Sequence, residues 1–296
     1  MKVGFIGLGK MGHPMASNIL KAGYELTIQD VRREACHDLE AAGAGWFDRP
    51  HEVAARSDVL LTSLPNPEVA EEVVLGDEGV FAGLAQGATY IDTGTNPPSF
   101  MRRISGIGQE RGIHVLDAPI SGGTVGARGA TLTIFVGGLE EDLERVRPVL
   151  QTIGRKIVYM GPAGSGNAIK LINNLMLFVN YVGACEGVAM GARAGIDPRL
   201  LLDAITPSMG QSRILEHALE ALLDGEAIGG TTDLAVKDMR MVVDLAEELG
   251  VPVEVSALVR DILIRFHDER GRGQDDYTEL IQDYLNRSGV AHGTRD

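Results

Sequence analysis

The sequence predicts an α/β fold in three parts: a doubly wound parallel sheet over residues 1–162, a connecting helix over 163–194 and an all-helical domain over 195–296. Three observations predict it. Short apolar runs alternate with amphipathic stretches through the first part, as parallel strands joined by helices require. That rhythm stops at Gly161-Pro162, and residues 164–194 form one apolar pattern with no internal proline. Beyond it only helical periodicities recur, divided by Gly, Pro and Asp.

In the first part, Val3–Ile6, Leu26–Gln29, Val59–Leu64, Thr89–Asp92, His114–Asp117 and Leu132–Val136 read as strands. They are short apolar runs of the kind a sheet covered on both faces contains. Helical patterns lie between most of them, among them Met11–Ala22 and Pro67–Val74. In the third part Pro198–Ile205, Gln211–Leu223, Asp233–Leu249, Val253–Asp268 and Asp275–Asn286 read as helices, and Ala291–Asp296 as a loose tail. No convincing strand, internal repeat or low-complexity segment follows Gly164.

Bulk properties narrow the function. The 296 residues are 44% hydrophobic, enough to bury a core and too apolar for a disordered chain. Acidic residues outnumber Lys plus Arg by 41 to 27, a net charge of −14 that argues against nucleic acid as a partner. An anionic ligand must then be held by local donors against the global field. The two cysteines, Cys36 and Cys185, form no CxxC or disulfide framework and point to a reducing, cytoplasmic setting. The seven histidines are scattered without metal-ligand spacing, so no metal is expected. Neither a basic leader nor an uninterrupted apolar run of about 18 residues is present, so no membrane association is expected.

The first strand ends in Gly7-Leu8-Gly9-Lys10-Met11-Gly12, a GxGxxG motif that opens a helix. The first glycine permits a tight turn, the second lets backbone approach a pyrophosphate, and the third lets helix pack close to strand. The helix N-terminus then offers free N–H groups to the phosphates. Asp30 ends the second strand 18 residues after Gly12, where a carboxylate accepts hydrogen bonds from the adenosine ribose. It favours NAD, while Arg32 and Arg33 beside it leave NADP open. Leu64-Pro65 and Thr93-Gly94-Thr95 follow two further strands, where doubly wound sheets bind ligands. Ordinary strand-to-helix turns would look the same.

Asp117-Ala118-Pro119-Ile120-Ser121-Gly122-Gly123 follows another strand. Ser121 and the N–H groups exposed by Gly122 and Gly123 form a plausible carboxylate cradle, or simply a tight polar loop. Lys170 and Asn174 are spaced i, i+4 on the long helix, within an apolar stretch. A lysine there either snorkels at the helix edge or serves as a general base, since burial lowers an ammonium pKa toward neutrality. Lys237-Asp238 lies on a later helix, where an exposed charged pair is the default.

Together these segments resemble the β-hydroxyacid dehydrogenase family, which includes 3-hydroxyisobutyrate dehydrogenase and tartronate semialdehyde reductase, over nearly the whole chain. GFIGLGKMGHPMASNILKAG is similar to its cofactor signature, DAPISGG to its substrate signature, GSGNAIKLINN to its catalytic signature and LAVKD to its C-terminal cofactor-proximal motif. The resemblance implies a Rossmann-type first domain and Lys170 as the catalytic lysine, with Asn174 beside the reacting hydroxyl. It implies that Ser121, Gly122 and Gly123 hold the substrate carboxylate. Thr95 and Lys237 would then lie near the nicotinamide, and Leu64 and Pro65 on the adenosine side. The implied reaction is NAD(P)-dependent interconversion of a small anionic 3-hydroxy acid, of the 3-hydroxyisobutyrate type, and its semialdehyde. Reduction of tartronate or succinic semialdehyde with NADPH is the alternative, and a non-catalytic dinucleotide-binding protein a further one. Family members commonly form homodimers or homotetramers.

Four positions depart from the family pattern. Gly230 stands where a Phe that shapes the substrate pocket is frequent, and Gly94 where a Ser is common. Ala130 replaces a usual glycine, a harmless change if the position is a strand entry. Leu177 stands where 6-phosphogluconate dehydrogenase carries a second acid, which argues against decarboxylation.

Overall fold

The computed structural model describes residues 1–226, 229–271 and 273–290. The tail expected at Ala291–Asp296 lies outside the described residues. The chain divides into two compact units, Met1–Lys170 and Leu171–Asp296.

The first unit is built on one sheet. Its strands are β1 (Lys2–Ile6), β2 (Glu25–Gln29), β3 (Gly45–Trp46), β4 (Val59–Thr62), β5 (Thr89–Asp92), β6 (His114–Asp117), β7 (Ile120–Ser121), β8 (Leu132–Gly137) and β9 (Gly154–Gly161). They run in the order β3-β2-β1-β4-β5-β6-β8-β7, with β9 also paired to β8. From β3 to β6 every pairing is parallel. The strand order reverses at β1, between β2 and β4, and the crevice at such a switch point is where doubly wound sheets bind dinucleotides.

Side-chain alternation explains both faces. Val3, Phe5, Leu26, Ile28, Leu61, Ile91 and Leu116 point into one apolar layer, with Met15 and Ile19 of the Gly12–Lys21 helix. Ile6, Leu60, Tyr90 and Val115 point into the other, against Met101 and Ile104 of the Pro98–Glu110 helix. The central strands β1, β4, β5 and β6 therefore bury both of their faces.

Three strands escape the sequence reading: β3, β7 and β9. The first two are two residues long and too short for a periodicity. β9 carries Arg155 and Lys156, both exposed, which break its apolar pattern. The sheet is also not wholly parallel, because β8 runs antiparallel to β6 and β7. The expected strand Val59–Leu64 ends at Thr62, so Ser63 and Leu64 belong to the turn.

Among its described residues the second unit contains helices and one isolated bridge, Thr231 to Asp276. The long helix spans Ser165–Arg193. It runs from the first unit into the second, and Leu171, Phe178, Tyr181, Cys185 and Val188 bring it into the helical core. Leu219, Met239, Leu263 and Leu280 from four later helices pack in the same cluster. Side chains cap two of these helices: Ser212 accepts from the Leu215 N–H and Thr231 from the Leu234 N–H. The last helix begins at Glu279 rather than Asp275, because Asp276 instead organises a turn, accepting from the Thr278 N–H and hydroxyl.

Although no uninterrupted apolar run reaches membrane-spanning length, the Ser165–Arg193 helix averages a mean hydropathy of 1.4 over 18 residues. Among the described residues it is the one helix long and apolar enough to cross a bilayer by length and composition. The central helix of a folded domain passes the same test, and its buried stripe accounts for that composition.

Candidate active site

The glycine loop follows β1 at the switch point. Gly7 turns the chain with φ +90°, and a Cβ on Gly12 would collide with the Gly7 carbonyl. No atom stands within 4 Å of a Cβ built on Gly9, so the loop is open where a pyrophosphate must approach backbone. The helix behind it carries no acid in its first turn. Beside the loop opens a cavity of about 400 Å³ lined by Lys10, His13, Lys21 and Arg128 among others. Lys10, Lys21 and Arg128 are the local cations that a chain of net charge −14 needs to hold an anion. The residues present therefore fit a dinucleotide.

Asp30 stands behind this loop. Its Oδ2 accepts from the Leu8 N–H at 2.6 Å and its Oδ1 from the Arg32 N–H at 2.8 Å. Each carboxylate oxygen keeps a further lone pair for a ribose hydroxyl. Arg32 turns its guanidinium toward the same carboxylate, with Nε 3.5 Å from Oδ1. Arg33 pairs with Glu40 and lies 4.0 Å over the Trp46 ring. Both arginines are thus engaged within the protein. Leu64 is half-buried and Pro65 exposed, both in the turn after β4.

A buried polar network links the ends of β4, β5 and β6. Asp92 accepts from the Gly94 N–H at 2.6 Å, the Asn96 amide at 3.2 Å and the Tyr90 hydroxyl at 3.1 Å. Gly94 contributes through its backbone here, and an added Cβ would lie 2.9 Å from Asp92 Oδ1. Thr95, half-buried, sits between two residues of this network. Asp117, fully buried, accepts from the Gly164 N–H at 2.7 Å and the Asn167 N–H at 2.8 Å. Burial pushes the Asp117 carboxyl above its ordinary value, and the two N–H donors oppose that rise.

Four residues on, Ser121 is half-buried and paired across β7–β8 with Thr133. Gly122 and Gly123 follow with φ +131° and +61°, a backbone that side-chain-bearing residues avoid. Both are exposed, as a backbone cradle requires. Lys170 is half-buried on the second turn of the long helix.

In the second unit Asn174 is buried and donates its amide to Asp238 Oδ2 at 2.7 Å. Its own carbonyl accepts from Asn173 at 3.1 Å, so the amide orientation is set from both ends. Lys237 Nζ lies 3.2 Å from Asp238 Oδ1, with side chains only 20% and 13% exposed. The pair is therefore largely buried, unlike the exposed pairing that is the default for such charges. Sequence reasoning gave no role to Asp117, Asn167 or Asp238. The available signal was an acid at the carboxyl end of a strand for Asp117 and a polar residue one helical turn before Lys170 for Asn167; Asp238 had only its place beside Lys237.

Ala130 needs a correction. It is not a plain strand entry: its φ is +53°, and it is the only non-glycine with positive φ among the described residues. It closes the Gly123–Arg128 helix, with the Thr131 N–H returning to the Gly126 carbonyl at 2.9 Å, where glycine is preferred.

Known proteins share this architecture. Residues 2–161 match the NAD binding domain of 6-phosphogluconate dehydrogenase, and residues 164–284 the NAD-binding domain of NADP-dependent 3-hydroxyisobutyrate dehydrogenase. The chain is 36% identical to 2-(hydroxymethyl)glutarate dehydrogenase of Eubacterium barkeri, covering 98% of this chain and 97% of that protein. It is 40% identical to NAD-dependent L-serine dehydrogenase of Pseudomonas aeruginosa over 73% of this chain and 72% of that one. The structure of Mycobacterium tuberculosis 3-hydroxyisobutyrate dehydrogenase with L-serine superposes with a TM-score of 0.86 at 29% identity, covering 95% of this chain and 98% of that one. A glycine loop built for a dinucleotide, an anchored lysine-bearing helix and these relatives lead to one assignment: the chain belongs to the β-hydroxyacid dehydrogenase family and is an NAD(P)-dependent dehydrogenase of hydroxy acids.

Proposed function

We propose that the enzyme interconverts a small 3-hydroxy acid and its semialdehyde, with Lys170 as general acid and base and NAD as the preferred cofactor. The observation that carries this reading is the placement of Lys170. It stands one turn beyond a helix start fixed to the carboxyl end of β6, and the Ser121–Gly122–Gly123 loop leaves that same strand end. The cofactor supplies the hydride acceptor. Ser121 and the two glycine N–H groups bind the substrate carboxylate. Neutral Lys170 takes the hydroxyl proton at Nζ as the C–H bond breaks, and in the reverse direction its ammonium returns that proton. The roles of Asn174, Thr95 and Lys237 at the reacting end, and of Leu64 and Pro65 at the adenosine end, belong to the same proposal.

NAD preference is supported by the Asp30 carboxylate and by the engagement of Arg33 with Glu40 and Trp46. A hydroxy dicarboxylate is a substrate worth including, given that the Eubacterium barkeri relative is a 2-(hydroxymethyl)glutarate dehydrogenase. Two free, buried cysteines support a reducing, cytoplasmic location. A homodimer or homotetramer is supported by apolar side chains left exposed on the helical unit, among them Leu249, Val255 and Leu258.

The test is initial rates with NAD and NADP on 3-hydroxyisobutyrate, L-serine, D-glycerate, 2-(hydroxymethyl)glutarate and the matching semialdehydes. Lys170→Ala should lower turnover by about 10²–10⁴-fold. Wild-type turnover in that variant would overturn the assignment of Lys170. Cofactor binding without turnover of any panel member would favour a non-catalytic dinucleotide-binding protein.

A further inference from the structure

The mechanism uses Lys170 but leaves unexplained why its helix begins where it does. The answer lies in a buried acid that the reaction itself does not need. Asp117 ends β6 with no exposed surface. Its two carboxylate oxygens are divided between two N–H groups of one short segment, Oδ1 with Gly164 and Oδ2 with Asn167. Those N–H groups border the start of the Ser165–Arg193 helix, where backbone donors have no intrahelical partner. A second tie is independent of the first: Asn167 Oδ1 accepts from the Asn96 N–H at 2.8 Å, which joins the same turn to the segment after β5. A third is steric. A Cβ on Gly166 would lie 2.8 Å from the Asp117 carbonyl oxygen and 2.9 Å from its Oδ2, and would collide with the Phe135 carbonyl. A Cβ on Gly137 would lie 2.9 Å from the Gly166 nitrogen and run into Asp117 Oδ1. The first turn of the helix is thus seated backbone against backbone on the ends of β6 and β8.

We infer that Asp117 is a positioning residue: its carboxylate fixes the first turn of the Ser165–Arg193 helix to the end of β6 and thereby sets where the Lys170 amine stands relative to the Ser121–Gly122–Gly123 loop. The lever is short. Lys170 is three residues beyond Asn167, about 4.5 Å along the axis, and the two lie within roughly 60° of each other around it. The other arm is equally short. Ser121 follows Asp117 by four residues, and the intervening backbone is held by the Ala118 N–H on the Asp92 carbonyl at 2.7 Å and by the Phe135 N–H on the Pro119 carbonyl at 3.0 Å. The carboxylate cradle and the proton-transfer group therefore share one fixed point. This inference rests on the roles proposed above for Lys170 and Ser121.

The test is Asp117→Asn, which keeps the shape but leaves one carboxylate oxygen replaced by an amide that faces an N–H donor. Turnover should fall about 10–10²-fold, the loss expected for roughly 1 Å of misplacement. The dissociation constant for NAD, measured by calorimetry, should stay within about twofold, since the glycine loop and Asp30 are untouched. Backbone amide hydrogen exchange across residues 164–170 should accelerate in the same variant. Should Asp117→Asn fail to fold, Asn167→Ala removes the tie to Asn96 while keeping the Asn167 N–H on Asp117, and a turnover loss of about 3–30-fold with unchanged NAD affinity is expected there. Wild-type turnover and exchange in the folded variant, with Lys170→Ala inactive, would overturn this inference. Wild-type turnover in Lys170→Ala would instead overturn the functional reading on which it rests. Parallel loss of turnover and NAD affinity would reduce Asp117 to a general support of the fold and would also overturn it.

Discussion

Replacing Gly230 by Ala should destabilise the helical unit even though it adds a single methyl group. The new Cβ would stand 2.8 Å from Cδ1 of Tyr277 and closer still to Cε1. Carbon atoms settle at roughly 3.6 Å, so the ring must retreat by about 0.8 Å at Cδ1 and further at Cε1. It has little room to do so. Tyr277 is 8% exposed, edge-on to Phe178 at 5.6 Å and to Tyr181 at 5.4 Å. Its backbone is held as well, with its N–H on the Gly230 carbonyl at 3.0 Å and its carbonyl accepting from the Tyr181 hydroxyl at 2.9 Å. Overpacking of this kind costs about 1–3 kcal/mol. The stiffer unfolded chain returns about 0.4–1 kcal/mol, so the net loss is roughly 0.5–2.5 kcal/mol. That corresponds to a Tm lower by roughly 1–10 °C. Tyr277→Ala alone should cost about 3–5 kcal/mol, as large aromatic truncations do. The double variant should be more stable than the two losses summed, because the collision is then gone. Urea unfolding of the three variants measures this. A Gly230→Ala protein as stable as wild type, or strict additivity, would refute the reasoning. Tyr277, 47 residues later, already fills the space over Gly230, which leaves no room for a side chain at that position.

Other perturbations follow from particular residues. Ala130→Gly relieves a left-handed backbone worth about 1–2 kcal/mol and gives back about 0.4–1 kcal/mol in unfolded-state entropy. A Tm increase of roughly 1–4 °C in a calorimetric scan is expected, and a decrease would show that φ is not strained there. His267 hydrogen-bonds Asp268 at 2.9 Å and Asp233 at 2.8 Å, and these carboxylates raise its pKa above the ordinary 6.5. A raised histidine contributes stability fully below its unfolded pKa and loses it as pH climbs through the folded value. The Tm gap between wild type and His267→Gln should therefore be widest near pH 5–6 and close as the pH rises; a gap independent of pH would contradict the assignment.

The glycine loop and its neighbours were legible because their constraints are local. Three glycines at fixed spacing, a strand before and a helix after are all contained within the first 21 residues. The alternating apolar runs of the first unit and the helical periods of the second declared the architecture for the same reason: period follows from backbone geometry, which each segment carries itself. By that route the sequence determined the α/β class and the all-helical second unit, while the family and the reaction type came from the resemblance of four ordered motifs to known signatures. Only the tertiary structure could decide the rest, because it depends on residues far apart in the chain. Asp117 reaches Gly164 and Asn167 across about fifty positions, and nothing near Asp117 announces that its partners will be helix-start N–H groups. Lys237 and Asp238 looked like a solvated pair until the packing of Asn174, 64 positions from Asp238, largely buried them. The strands β3 and β7 exist only through their neighbours' hydrogen bonds, since two residues hold no pattern of their own. Ala130 likewise shows its cost only in φ, an angle set by the helix it closes and the strand it enters. Local periodicity is written into the chain, whereas burial and orientation of polar groups are properties of surfaces that exist only once distant segments meet.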